Sequence, residues 1–231
     1  MRIIPEGTRL DGTALIAGFH GIGATGYWTV KFLVNELKAR RVCFIDYEHA
    51  PAVSYYAEGR VVTPYEVFSA HGLSILKAEV SPVREKEDEF YRGLAEWIKG
   101  SGVREVALVG GLDESLRNDD SRYKVVMTST FAAKGEMQGE RVLEDDKMIV
   151  GPVASLLNFF EMNAFPAFAV LAYSSTERVD PRAAASAVEV LSRRYGFAVD
   201  TTPLIKGAEV IEGEMKVIEE RERRPSSSAY S

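Results

Sequence analysis

A chain of 231 residues that is 46% apolar and 27% charged is long enough to bury a core, and it needs neither disulfides nor a structural metal to fold. Its net charge of −6 excludes nucleic acid as the main partner, because phosphate binding calls for a basic surface. The single cysteine, Cys43, excludes an internal disulfide framework, and its apolar neighbours Val42, Phe44 and Ile45 mark it as a small buried hydrophobe. No apolar run approaches the roughly 20 residues that span a bilayer, and Met1 to Glu6 lack a secretory-signal pattern, so no membrane partner and a cytoplasmic location are expected.

In chain order, short apolar runs bounded by turn residues predict buried strands at Thr13 to Phe19, Arg41 to Asp46, Ser74 to Val80, Glu105 to Gly110, Tyr123 to Ser129 and Ala167 to Tyr173. Helical spacing intervenes. Tyr27 to Leu37 carries Val30, Leu33, Val34 and Leu37 on one face, and Glu85 to Lys99 carries Phe90, Leu94, Trp97 and Ile98. Val153 to Asn163 follows Gly151-Pro152, where proline suits a first helical turn, and Pro181 to Tyr195 is capped by Asp180 and closed by Gly196. Strands alternating with helices predict an α/β fold with three layers, α/β/α, around a largely parallel or mixed central sheet. Residues 1–211 form the body, and no linker interrupts them. Glu212 to Arg224 then holds nine charges in thirteen residues and is expected to be a charged helical stalk over 212–224. Pro225 ends it, and 225–231 is expected to be a flexible tail, since it has too little apolar surface to order itself.

Gly21-Ile22-Gly23-Ala24-Thr25-Gly26 matches the G-x-G-x-x-G spacing between a strand and a helix, with Asp46 closing the next predicted strand. One reading makes Gly21, Gly23, Gly26 and Asp46 a nucleotide or nucleoside site. Against it, the strand ends near Gly18, so Phe19-His20 displaces the motif from the tight turn, and Tyr47 to Pro64 has no crossover helix. The other reading is close helix–sheet packing without a cofactor. His20, His49 and His71 lack the spacing of metal ligands on a helix. Asp113, Glu114, Asp119 and Asp120 read as a solvated acidic loop. Neither a nucleophile elbow nor a phosphate loop is present, and no catalytic or metal-binding set is expected.

The order of the motifs carries a resemblance. Gly18-Phe19-His20-Gly21-Ile22-Gly23 leads to Phe32-Leu33-Val34, then to Pro51, Gly59 and Pro64 and the strand Leu73 to Ala78. Phe90 to Ile98 precedes Val106-Ala107-Leu108-Val109-Gly110-Gly111-Leu112, and Val150-Gly151-Pro152-Val153-Ala154-Ser155-Leu156-Leu157 follows. Phe165-Pro166-Ala167 and Asp180-Pro181-Arg182-Ala183-Ala184 complete the series. Over most of residues 10 to 211 the chain resembles the proteasome assembly chaperone family, that of the second eukaryotic chaperone subunit and its archaeal relatives. The resemblance implies a three-layer fold related to nucleoside phosphorylases, a homo-oligomer and a binding role without catalysis. Some archaeal relatives carry a C-terminal motif of hydrophobic residue, tyrosine, any residue, and Ala229-Tyr230-Ser231 fits it. By that likeness the tail enters pockets between α-subunits of the 20S proteasome ring.

Overall fold

A computed structural model describes residues 1–57 and 59–208 of the chain. Its strands are β1 (Arg2–Ile4), β2 (Ala14–Gly18), β3 (Arg40–Asp46), β4 (Tyr55–Ala57), β5 (Arg60–Val62), β6 (Tyr65–Ala70), β7 (Leu73–Ala78), β8 (Glu105–Asp113), β9 (Tyr123–Met127) and β10 (Ala167–Ser174). Its α-helices are α1 (Thr25–Glu36), α2 (Glu87–Gly100), α3 (Ser129–Ala132), α4 (Pro152–Met162) and α5 (Pro181–Tyr195). Eight strands form one sheet in the order β1-β3-β6-β7-β2-β8-β10-β9, and β4 and β5 form a separate hairpin.

The alternation of side chains along the central strands builds the layers. Leu15 and Ala17 of β2, with Val106 and Leu108 of β8, face a cluster containing Phe90, Leu94 and Ile98 of α2 and Leu156 and Phe160 of α4. Ala14 and Ile16, with Ala107 and Val109, face the opposite cluster, which holds Val30 and Leu33 of α1 and Val188 and Leu191 of α5. Strands covered on both faces need apolar residues at every position, and all eight residues of β10 are buried. Asp180 caps α5 by accepting from the amides of Arg182 and Ala183, both at 3.1 Å, and Gly196 ends it with φ of 72°.

Of the two sheet types expected, largely parallel or mixed, the sheet is the mixed one. The central pairings β7–β2, β2–β8 and β8–β10 are parallel, whereas β1–β3, β3–β6, β6–β7 and β10–β9 are antiparallel. The reason lies in His71 and Gly72, with φ of 50° and 73°, which make a two-residue hairpin turn joining β6 to β7. That hairpin adds β6, a strand that the apolar runs did not single out. Strand β2 pairs with β8 as far as Gly18 opposite Val109, while β8 continues beside β10 to Asp113 opposite Ser174. The chain therefore leaves the sheet at Phe19 and opens a crevice beside the carboxyl end of β8.

Candidate functional site

The glycine-rich loop lies at that crevice, and three of the glycines at 18, 21, 23 and 26 are used in close packing. A Cβ on Gly18 would stand 2.1 Å from the carbonyl oxygen of Gly26, and one on Gly26 would stand 2.5 Å from that of Val109. Gly23, with φ of 58°, brings its Cα so close to β10 that a Cβ would lie 1.8 Å from Ser174 Oγ. Gly21 differs: a Cβ there meets nothing within 4 Å. The loop's polar groups are engaged locally. Thr25 Oγ1 donates to the Ile22 carbonyl at 3.0 Å, the Tyr27 amide to the Phe19 carbonyl at 3.1 Å, and the Asp180 amide to the Gly23 carbonyl at 2.9 Å.

Asp46 is not brought to this loop. Strands β6 and β7 stand between β3 and β2, a lateral separation of about 14 Å at the usual strand spacing. The carboxylate instead accepts from the Arg2 guanidinium across the β1–β3 edge, Nε to Oδ2 at 3.0 Å. The acidic residues at the end of β8 and beyond it are also divided. Asp113 accepts from the Ser115 amide at 2.8 Å, while Asp119 accepts from Lys124 Nζ at 2.8 Å and Arg141 Nη1 at 3.1 Å. The bond from Lys124, followed by one from the Ser121 amide at 2.8 Å, holds the Asp119 carboxyl well below the usual range. Among the described residues no group of three or more His, Cys, Asp or Glu side chains is placed to hold a metal. Cys43 is buried as expected, and burial pushes its thiol up to about 11.

A buried polar network beside the loop was not anticipated. Lys77 near the end of β7 and Glu79, the residue just beyond it, form an ion pair of 2.6 Å with side chains only 8% and 3% exposed. Tyr27 of α1 donates to Glu79 Oε2 at 2.7 Å, and His20 Nε2 lies 3.0 Å from the Glu79 carbonyl while its ring stacks on Tyr27. Burial alone would raise the Glu79 pKa, but hydrogen bonds from Lys77, Tyr55 and Tyr27 outweigh it and hold the carboxyl below its ordinary value. Burial, reinforced by Glu79, drives both tyrosine hydroxyls upward. The spacing Lys77-x-Glu79 within an apolar run was the available signal, since such residues in a central strand must satisfy each other. Glu66 shows the same logic in β6, where its fully buried carboxylate accepts from Arg41 at 3.0 Å and Arg60 at 3.1 Å.

The last described residues are anchored. A helical segment over 202–208 buries Leu204 in the cluster beneath α1 and α5. The stalk over 212–224 and Ala229, Tyr230 and Ser231 lie outside the described residues.

The PAC2 family profile matches residues 15–219. This chain belongs to the PAC2 family. Membership accords with the family resemblance read from the motif order, and the PAC2 fold recurs in similar solved structures. Pyrococcus furiosus PbaA, described as an archaeal homolog of proteasome-assembly chaperone, superposes with a TM-score of 0.81 at 24% identity, over 95% of this chain and 96% of that one. Pyrococcus furiosus PbaB, described as an archaeal proteasome activator, gives 0.75 at 21% identity, over 94% and 98%. An uncharacterized protein of Methanocaldococcus jannaschii is 23% identical, over 93% of this chain and 89% of its own length.

Proposed function

We propose that this PAC2 protein is a homo-oligomeric proteasome-binding protein, an assembly chaperone or activator, that docks on the α-ring of the 20S particle through Ala229-Tyr230-Ser231. The observation that carries the reading is the PAC2 match across residues 15–219, joined to a fold similar to those of PbaA and PbaB. The proposed division is a body over 1–211, a charged helical stalk over 212–224 and a docking tail over 225–231. Tyr230 would bury its ring while keeping a polar partner for its hydroxyl. The reading requires Ser231 to carry the free α-carboxylate, which would form a charge-assisted contact with a basic pocket group. Seven residues from Pro225 reach at most roughly 25 Å and typically about 15 Å. One tail binds weakly because ordering it costs entropy, and several on one oligomer bind far better at high effective concentration. The role proposed is binding, not catalysis, and the protein is proposed to act in the cytoplasm; among the described residues no helix is long and apolar enough to cross a membrane.

The test is a titration of purified 20S proteasome with the intact chain and with a form lacking residues 229–231. Saturable binding lost with those residues supports the proposal. Equal binding by both moves the contact to the body, and no binding by either rejects the proteasome as partner. Adding one residue after Ser231 is expected to abolish binding while leaving the melting temperature unchanged.

A further inference from the structure

We propose that the crevice at the carboxyl ends of β2, β8 and β10 is a binding site for a small, uncharged, apolar molecule of about two fused rings. This site is separate from the tail and independent of the proteasome reading. In open α/β sheets the carboxyl ends of parallel strands are where ligands bind, because the chain diverges there and leaves a crevice. Here β2 stops at Gly18 while β8 runs on to Asp113 beside β10, and a cavity of about 340 Å³ occupies the gap. That volume falls within the range of ligand pockets, about 300–1,000 Å³. It is about twice the 150 Å³ of an apolar cavity that holds one benzene ring.

The walls are preformed. Phe19, Val109, Leu112, Val153 and Leu171 come from four separate parts of the chain, and each is buried in the core. Glycines let them close in: a Cβ on Gly110 would lie 3.1 Å from Val153 Cγ2, and one on Gly111 would lie 2.3 Å from the Ile22 carbonyl oxygen. The mouth is apolar too, with Leu116, Met148 and Val150 exposed by 45%, 84% and 67%. Large apolar side chains left in water around an apolar chamber gain free energy when a matching surface covers them.

The lining also fixes the charge of the occupant. Among the described residues, neither lysine nor arginine lines the cavity, so a phosphate or carboxylate would enter without a cationic partner. Asp113 is the one carboxylate present, and it disfavours an anion further. Its side chain already accepts from the Ser115 amide, and His20 Nε2 faces the Glu79 carbonyl, so the polar groups at the wall are engaged. The glycine-rich segment thus borders a chamber suited to a neutral ring system and unsuited to a nucleotide.

The experiment titrates the full isotope-labelled chain with indole and, separately, with indole-3-acetate, while following backbone amide resonances. Indole is expected to give saturable shifts clustered at Gly21, Gly110, Gly111 and Val153. The anion, with the same rings, is expected to bind at least about tenfold more weakly. Leu116→Trp and Val150→Trp, both at the exposed mouth, are expected to weaken indole at least about fivefold while leaving the spectrum folded. Met162→Trp, on an exposed position of α4 outside the cavity, is expected to change nothing. Shifts that never saturate, shifts scattered over the surface, or equal binding of the anion would each overturn the proposal. Unchanged indole binding in both mouth variants would overturn it as well. If indole binds only after residues 229–231 are removed, the occupant is the chain's own tail, and the small-molecule site is likewise refuted.

Discussion

Replacing Lys77 by Met exposes how the end of β7 is held. In the native protein the Lys77 ammonium and Glu79 carboxylate lie 2.6 Å apart with side chains 8% and 3% exposed. At an effective dielectric constant of about 20, two unit charges at that distance attract by about 6 kcal/mol, much of which offsets the cost of taking both from water. Lys77→Met removes the attraction but leaves that cost at Glu79, which then has the hydroxyls of Tyr27 and Tyr55 as donors. The expected loss is about 3–5 kcal/mol, as for other buried pairs broken on one side. For a chain of this length each kcal/mol moves the midpoint by about 2–4 °C, so the melting temperature should fall by roughly 6–20 °C. The double change Lys77→Met with Glu79→Leu removes the orphaned charge and is expected to cost less than the single one. Urea unfolding followed by far-ultraviolet circular dichroism at pH 7 measures all three proteins. A loss below about 1 kcal/mol for Lys77→Met, or a double variant less stable than the single, would refute the reasoning.

Gly23→Ala places a Cβ 1.8 Å from Ser174 Oγ at a backbone φ of 58° and is expected to cost about 2–5 kcal/mol in the same assay. Gly21→Ala, with open space around its Cβ, should stay within about 0.5 kcal/mol. Phe160→Ala empties a fully buried site between α4 and the sheet and should cost about 3–5 kcal/mol, read as a lower urea midpoint at constant slope. Glu79 and Asp119 are both held below their ordinary values of 4.5 and 3.8, so the stability they supply is complete above those values and lost as pH falls through and below them. Melting temperature should therefore fall as pH is lowered from about 5 to 3. Lys77→Met should flatten that fall, because Glu79 loses its strongest reason to stay ionised.

Much of the fold was legible because most central elements declare themselves through local pattern. The predicted helix Pro181 to Tyr195 coincides with α5, since Asp180, Pro181 and Gly196 mark both ends chemically. The strand forecast at Glu105 to Gly110 instead runs on to Asp113, because pairing with β10 sustains extension through two glycines that local pattern reads as a break. Strand β1 is three residues, and it forms at the sheet edge where Arg2 meets Asp46, a contact between residues 44 apart that no local window contains. The Glu79 network is hidden for the same reason, because its donors come from α1, β4 and β7 and meet only when the sheet has assembled.

The glycine motif shows why spacing alone does not decide chemistry. A phosphate approaching a helix N-terminus and a neighbouring strand pressed against that helix make the same demand on the backbone, namely the absence of a Cβ. What separates them is the company the loop keeps. A ribose-binding carboxylate belongs on the strand beside the motif, and here the β6–β7 hairpin occupies that place and carries Asp46 two strands further out. Val109 and Ser174 then press against Gly26 and Gly23, and Ile22 against Gly111, so these glycines serve packing. The deciding signal was therefore not in the glycines but fifty residues onward, in His71-Gly72, whose two-residue turn inserts an antiparallel hairpin into an otherwise parallel succession. That turn fixes β6 and β7 as neighbours, and the place of the pair between β3 and β2 carries Asp46 away from the loop.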